Sequence, residues 1–312
     1  MLSLAILLRS KDLAKQKKGR AVNGIVVINK PLGLSSNQVL QRVKRLFNAQ
    51  KAGHTGALDP LATGVLPICL GEATKLSQLL LDSDKAYDTT GTLGEVRSTG
   101  DAEGEVLSRA DVPAISHADL EQLLDRFRGD VEQVPPMFSA LKMDGKPLYE
   151  LARQGMTEAE IKAVAERKRR IITIFELTLN EQRETELDLS VRCSKGTYIR
   201  TLVEDIGQAI GCGAYVSRLH RTQCGPFHAG QMVTLEQLEQ LAAQGEEALA
   251  SVMLAPETAI PDWPEVRLSL AEADKMLHGQ PVKTGLQDCP SVQLWAAESD
   301  YRELIGIGRI ES

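Results

Sequence analysis

A chain of 312 residues with 43% hydrophobic and 25% charged side chains has the composition of an ordinary soluble globular protein, which excludes the disordered and fibrous classes. Its five cysteines are widely spaced and form no C-x-x-C pair, so a reducing cytosol fits better than a disulfide framework, a zinc site or a redox motif. The formal charge of -6 argues against a nucleic-acid partner only on average: residues 1–54 hold eleven Lys or Arg against the single acid Asp12, so the negative excess lies beyond them.

In chain order, the apolar run from Leu2 to Leu8 has no charged region before it and no small-residue cleavage site after it, and it is too short to span a bilayer. The basic, acid-poor stretch from Arg9 to Arg20 fits an organellar presequence or a solvated basic tail, and the tail is the preferred reading, giving a basic N-terminal tail at residues 1–22. Gly24 to Asn29 (GIVVIN) predicts a buried strand, and Ser36 is placed to cap a helix that turns Val39, Leu40, Val43, Leu46 and Phe47 to one side. A Gly-rich loop over residues 53–64 precedes a short apolar strand, Val65 to Leu70, and a helix around Leu76, Leu79 and Leu80. Tyr87 to Leu93 predicts a strand, with Gly100, Asp101 and Gly104 marking a turn. Ser116 and Asp119 form a capping box opening a helix that ends near Gly129. Leu187, Leu189, Val191 and Cys193 alternate as in a half-buried strand; a helix with Ile199, Leu202, Val203, Ile206 and Ile210 follows and stops at Gly211. Another capping box, Thr234 with Gln237, starts the next helix. Pro256, Pro261 and Pro264 break the chain and suggest a domain boundary near residue 256, followed by a helix from about Leu270 to His278 and strands near Val292–Ala296 and Leu304–Ile310.

The loop GHTGALDPLATG, residues 53–64, places a histidine and an aspartate among three glycines. Glycines let backbone approach a ligand closely, and Pro60 holds Asp59 extended. On spacing alone the plainer reading has the advantage, with Asp59 capping the turn and His54 an ordinary loop residue. The functional reading presents both side chains into a cleft. Likewise, Tyr87 taken alone is as well read as a half-buried strand tyrosine, and Arg200 as a surface helix arginine. The run Arg167, Lys168, Arg169 and Arg170 taken alone is a solvated charged face.

GHTGALDPLATGVLPICLGEATK, residues 53–75, resembles the catalytic motif of the tRNA pseudouridine-55 synthases. Further matches follow in family order: NKPLGLSSN (29–37), SDKAY (83–87), RFRGD (126–130), PPMFSALK (135–142), LYELARQG (148–155), CSKGTYIRTL (193–202) and LHRTQCGPF (219–227). Together they cover roughly residues 23–245. One departure is Arg97, where the family pattern has a threonine; the match resumes at Thr99 and Asp101.

The resemblance implies a bacterial-type tRNA isomerase with an α+β pseudouridine synthase fold, a mixed, largely antiparallel central sheet and a small C-terminal β-rich, PUA-like RNA-binding domain. The implied division is a tail at 1–22, a catalytic domain at 23–255 with a thumb-like RNA-binding insertion near 143–170, and the small domain at 256–312. It implies that Asp59 is the catalytic carboxylate, that His54 helps open the T-loop, that Tyr87 stacks on the target base, and that Tyr198 and Leu219 line the uracil pocket. Arg200 is implied as the partner of the aspartate, Lys30 and Pro31 as support, and Arg153 with Arg167, Lys168, Arg169 and Arg170 as RNA contacts. The expected partner is tRNA, at its T-loop and stem. No cofactor, metal or membrane is expected, and the enzyme is expected to be a cytoplasmic monomer.

The chemistry is consistent with that list. Pseudouridine formation breaks the N1 to C1' bond, turns the uracil and joins C5 to C1', with no net redox change. A carboxylate can attack C1' or stabilise positive charge on the sugar, as in glycosidases. The base must be flipped from its loop and held by stacking and edge hydrogen bonds. Arg200 beside a buried carboxylate is expected to lower its pKa. Three rivals share parts of the sequence signal. A guide-RNA-dependent synthase would need partners for activity on tRNA. An RNA-binding or RNA-folding protein would not need an ionised carboxylate facing phosphates, and a nucleosidase would need a second carboxylate to activate water.

Overall fold

The computed structural model describes residues 1–8, 19–136, 142–143, 146–147, 158–299 and 301–311. In chain order the strands are β1 Leu2–Leu7, β2 Gly24–Lys30, β3 Ala52–His54, β4 Thr63–Leu70, β5 Lys85–Leu93, β6 Glu95–Arg97, β7 Val106–Arg109, β8 Gly129–Gln133, β9 Lys142–Met143 and β10 Lys146–Pro147. They continue as β11 Arg170–Gln182, β12 Glu186–Cys193, β13 Ala214–Cys224, β14 Phe227–His228, β15 Glu265–Leu268, β16 Cys289–Glu298 and β17 Tyr301–Ile310.

The central sheet runs β2-β4-β13-β5-β12-β11-β8, with β3 paired to β4 and β14 to β13. Within it only β4 and β13 run parallel, through Thr63 opposite His220 and Gly64 opposite Arg221; the other pairs are antiparallel. The sheet is therefore mixed and largely antiparallel, as the sequence implies. At this junction Gly64 has φ +99°, and a Cβ there would lie 2.2 Å from the Arg221 carbonyl, so only glycine lets the strands approach.

The apolar patterns follow from burial. β2 and β4 are apolar throughout because both their faces are covered. Val26, Ile28, Leu66 and Ile68 pack on Val39 and Val43 of the helix Ser36–Leu46 and on Leu235 and Leu238 of the helix Leu235–Gln244. Ile25, Val27, Val65 and Cys69 turn the other way, towards Leu8 and Ile307. β12, by contrast, alternates: Leu187, Leu189, Val191 and Cys193 are buried with Leu202, Val203 and Ile206 of the helix Ile199–Ile210 and with Leu120 and Leu124 of the helix His117–Leu124. Its other side carries polar pairs, such as Ser190 donating to Asp88 at 2.7 Å.

Two expectations need correction. Leu2–Leu7 is not part of a solvated tail; it is the edge strand of a second sheet, β1-β17-β16-β15, pairing antiparallel with β17 from Leu2 opposite Ile310 to Leu7 opposite Gly306. Leu2 is fully buried there among Val266, Leu268, Met276 and Val292, so apolar burial outweighs the basic sequence that follows. The C-terminal part is β-rich as expected, but it is completed by the first strand of the chain. The helix Ser36–Leu46 is capped by Ser35, whose side chain accepts from the Gln38 backbone in a capping box, and not by Ser36. Ser36 has a different task, described below.

Candidate active site

The loop between β3 and β4 is fastened residue by residue. The Ser36 hydroxyl accepts from the Leu58 N–H at 2.7 Å and donates to the Leu58 carbonyl at 3.1 Å, fixing the residue before Asp59. Lys30, fully buried, donates its ammonium to the carbonyls of Pro31 at 3.0 Å, Pro60 at 3.2 Å and Ala62 at 2.6 Å. The Gly33 N–H also reaches the Pro60 carbonyl, at 2.8 Å. Burial lowers the Lys30 pKa to about 8, against the pull of Asp59 and Glu103. Pro31 follows Lys30 and supplies one of its acceptors, so the pair braces the loop from β2.

Asp59 stands at the centre of this support, its side chain 45% exposed. Arg200 Nε lies 3.0 Å from Asp59 Oδ2, and Arg200 is buried. The arginine comes from the first turn of the helix Ile199–Ile210 and is held from its far side. Its Nη1 donates to the Thr99 carbonyl at 2.6 Å and lies 3.7 Å from Asp101 Oδ2. Asp101 is buried in turn, accepting from the Thr99 hydroxyl at 2.6 Å and the Glu103 N–H at 3.1 Å. Arg97, the departure from the family pattern, packs over the Tyr215 ring at 4.1 Å and donates to the Ala102 carbonyl at 3.1 Å, so this turn is secured differently rather than lost.

The electrostatic expectation for Asp59 is reversed. Its pKa lies above the usual carboxylate value: partial withdrawal from water is the largest cause, Arg200 opposes it, Asp101 adds like-charge repulsion and Lys30 opposes again. Arg200 restrains the rise without overcoming it. Glu204 stands one turn along from Arg200, its carboxylate against Gly100, and burial pushes it up to about 7. Sequence reasoning assigned neither Glu204 nor Asp101 a role, although Asp101 was visible in the turn.

Tyr87 on β5 lies opposite Arg221 on β13, and Thr89 opposite Leu219, so the two predicted pocket residues Tyr87 and Leu219 belong to adjacent strands. Tyr87 is half-buried and Leu219 buried. Burial raises the Tyr87 phenol to about 12 against the pull of Arg221, so the ring stays neutral and able to stack. Arg221 is 1% exposed, and its Nε donates to the Val65 carbonyl at 2.7 Å while Nη2 donates to the Gly56 carbonyl at 3.1 Å. It escaped sequence reasoning because bulges break the alternation of β13; the available signal was its place two residues after the inward Leu219. His54 ends β3. Burial first, and then Arg221, lowers its pKa, and its buried Nδ1 has no partner among the described residues.

Tyr198 immediately precedes the helix bearing Arg200. Its N–H donates to Gln133 Oε1 at 2.8 Å, and its carbonyl accepts from Gln133 Nε2 at 3.0 Å. Of the basic cluster, Arg167 and Lys168 are exposed, Arg169 pairs with Glu132 and Glu166, and Arg170 stacks on Tyr198. Arg153 lies outside the described residues, as does most of the predicted thumb-like insertion before Glu158. Among the described residues no three His, Cys, Asp or Glu side chains converge as a metal site requires. No helix among them is long and apolar enough to cross a membrane.

This geometry coincides with the similarities of the chain to known proteins. Residues 44–199 match the family model of the TruB family pseudouridylate synthase N-terminal domain, residues 200–260 the tRNA pseudouridylate synthase B C-terminal domain, and residues 264–312 the pseudouridine synthase II TruB C-terminal model. Among curated relatives, tRNA pseudouridine synthase B of Pseudomonas putida is 54% identical over 292 residues, 93% of this chain and 92% of the relative. Those of Pseudomonas aeruginosa and a Marinomonas species are 52% and 50% identical, each covering 93% of the relative and, respectively, 93% and 94% of this chain. A solved Cbf5-Nop10-Gar1 complex contains a chain of the same fold, with TM-score 0.67 and 24% identity over 94% of this chain and 84% of that one. The carboxylate loop, the buried arginine behind it and the matches along nearly the whole sequence lead to one assignment: the chain belongs to the TruB family of pseudouridylate synthases.

Proposed function

We infer that the protein isomerises uridine to pseudouridine in tRNA, with the T-loop uridine at position 55 as its target. The observation that carries the reading is the contact of Arg200 with Asp59 at 3.0 Å: a carboxylate reachable by substrate, backed by a buried arginine that is itself anchored on Asp101. In this reading Asp59 attacks C1' or stabilises positive charge there when N1 departs, and C5 then joins C1'. The C5 proton is lost, and N1 is protonated, so the product is an isomer of the substrate. Tyr87 stacks on the flipped base, Leu219 and Tyr198 close its pocket, and the neutral His54 fills the space the base leaves. Lys30 and Pro31 keep the loop in place. Arg153, Arg167, Lys168 and Arg169 contact RNA, as does the β-rich C-terminal part in its PUA-like role; Arg170, the fifth of the expected RNA contacts, faces Tyr198 instead. The protein acts as a cytoplasmic monomer without a cofactor.

The test is release of tritium from an unmodified tRNA transcript labelled at uridine C5, with protein and transcript alone. Wild type is expected to release label only when a uridine is present at position 55, and Asp59→Asn is expected to bind without release. Release from a transcript lacking that uridine would refute the T-loop target. Dependence on an added guide RNA would refute the stand-alone reading.

A further inference from the structure

Gln133 and Arg170 are neighbours, directly opposite one another where the end of β8 pairs with the start of β11. Both side chains end on the short turn that carries Tyr198. Gln133 is buried and meets both backbone polar groups of Tyr198, the N–H at 2.8 Å and the carbonyl at 3.0 Å. A primary amide carries an acceptor and a donor on separate atoms, and here it closes both bonds on one residue. Arg170 takes the other side: its guanidinium lies 5.2 Å from the Tyr198 ring centroid, and Nη2 donates to the Gly196 carbonyl at 2.5 Å.

The turn is shaped to admit that arginine. Gly196 has φ +79°, and a Cβ there would come within 3.1 Å of the Arg170 Cζ, so a side chain at 196 would press the guanidinium off the turn. The Arg170 Nε is buried without a hydrogen-bond partner among the described residues, so this arginine is not placed to maximise its own hydrogen bonds; stacking and one carbonyl locate it. Two residues beyond Tyr198, Arg200 reaches Asp59.

We propose that Gln133 and Arg170 are positioning residues which clamp Tyr198 from backbone and ring, and which couple engagement of RNA at the adjoining basic residues 167–169 to the geometry of the uracil pocket. The proposal rests on the reading of Tyr198 as a pocket wall. Arg170 thereby differs from its exposed neighbours Arg167 and Lys168, for it acts through Tyr198 and not through its charge. RNA drawing on the strand end at Arg170 moves the guanidinium, and with it the ring that closes over the base.

The experiment compares Gln133→Ala, Gln133→Glu, Arg170→Ala and Arg170→Lys with wild type, measuring single-turnover tritium release and, separately, affinity for the same tRNA. Misplacement of a pocket wall by about 1 Å costs up to roughly 100-fold in rate, so release is expected to slow by about 10-fold to 100-fold with affinity within about threefold. Lysine keeps the charge of Arg170 but not the planar fork, and is expected to leave the rate low. Glutamate keeps the acceptor for the Tyr198 N–H but loses the donor, and is expected to recover part of the rate lost in Gln133→Ala. Rates within about twofold of wild type, or an affinity loss at Arg170→Ala that lysine restores, would overturn the clamp. Should either alanine variant fail to fold, Arg170→Lys and Gln133→Glu decide the matter alone. Absence of release from wild type would instead overturn the assigned reaction, a result distinct from slow release in the variants.

Discussion

Arg221 donates from Nη2 to the carbonyl of Gly56 at 3.1 Å, so the start of the loop that carries Asp59 hangs on a side chain from a strand more than 150 residues further along the chain. Its Nε holds Val65 just beyond the loop, at 2.7 Å. Replacing Arg221 by alanine strands two carbonyls that it now satisfies, at about 1–3 kcal/mol for each one left without a donor. Arg221→Ala is expected to melt measurably lower and to lose tritium release further than its stability loss explains. Unchanged activity in a folded variant would show that the loop holds its shape without this tie.

Asp59 is held above the ordinary carboxylate range, which has a consequence for stability as well as for rate. A carboxyl whose folded pKa exceeds its unfolded one favours folding most below the unfolded value, and that contribution is lost as pH rises through the folded value. The charge that forms on Asp59 as pH rises therefore works against the fold. Asp59→Asn, which mimics the neutral form, is expected to abolish turnover while melting no lower than wild type at pH 7. Calorimetry of the two proteins checks the second half.

The acid limb of kcat/KM reports the free enzyme and should fall above the ordinary carboxylate pKa of about 3.9. Arg200, Asp101, Lys30 and Glu103 all face the Asp59 carboxylate electrostatically. Of these, Asp101 raises the Asp59 pKa by like-charge repulsion, so Asp101→Asn is expected to move the limb to lower pH while slowing turnover through the loosened Arg200. A limb that stays in place would belong to another group, such as Glu103, whose pKa burial, Asp101 and Asp59 raise, or Glu204, pushed up to about 7.

Among the basic residues at the end of the helix Glu158–Arg167, ion pairing divides roles. Arg167, Lys168 and Arg169 are all exposed, but Arg169 is paired with Glu132 and Glu166. Arg167→Glu with Lys168→Glu is expected to weaken tRNA binding and lower the slope of log K against log salt by about 0.7–0.9 for each phosphate no longer neutralised. The rate of bound substrate should be preserved; a salt slope equal to that of wild type would mean that other residues neutralise the phosphates.

The sequence made the site more legible than the sheet that supports it. Asp59, His54, Tyr87, Arg200, Tyr198 and Leu219 lie in compact motifs that can be read locally, whether the residue stands on a loop, as Asp59 does, or on a strand or helix, as Tyr87 and Arg200 do. What the motifs concealed was the partner of a partner: Asp101 behind Arg200, and Arg221 beside Tyr87. β11 escaped because its bulges shift the register and its outer positions include the exposed Ile171 and Phe175, which blur the alternation. β1 escaped because nothing local marks it as paired. Its partner lies some 300 residues away, and pattern reading sees only near neighbours.

β1 also has a temporal meaning. Leu2–Leu7 is synthesised long before β17, its partner, and the Met1 amino group meets the Glu311 carbonyl where the two strands lie together. At about 5–20 residues per second, an emerging chain carries that apolar strand without its mate for roughly 15–60 s, while the catalytic loop and most of its braces already exist. The second sheet acts as a clasp between strands some 300 residues apart, so Leu2 and its neighbours stay uncovered until β17 has been made.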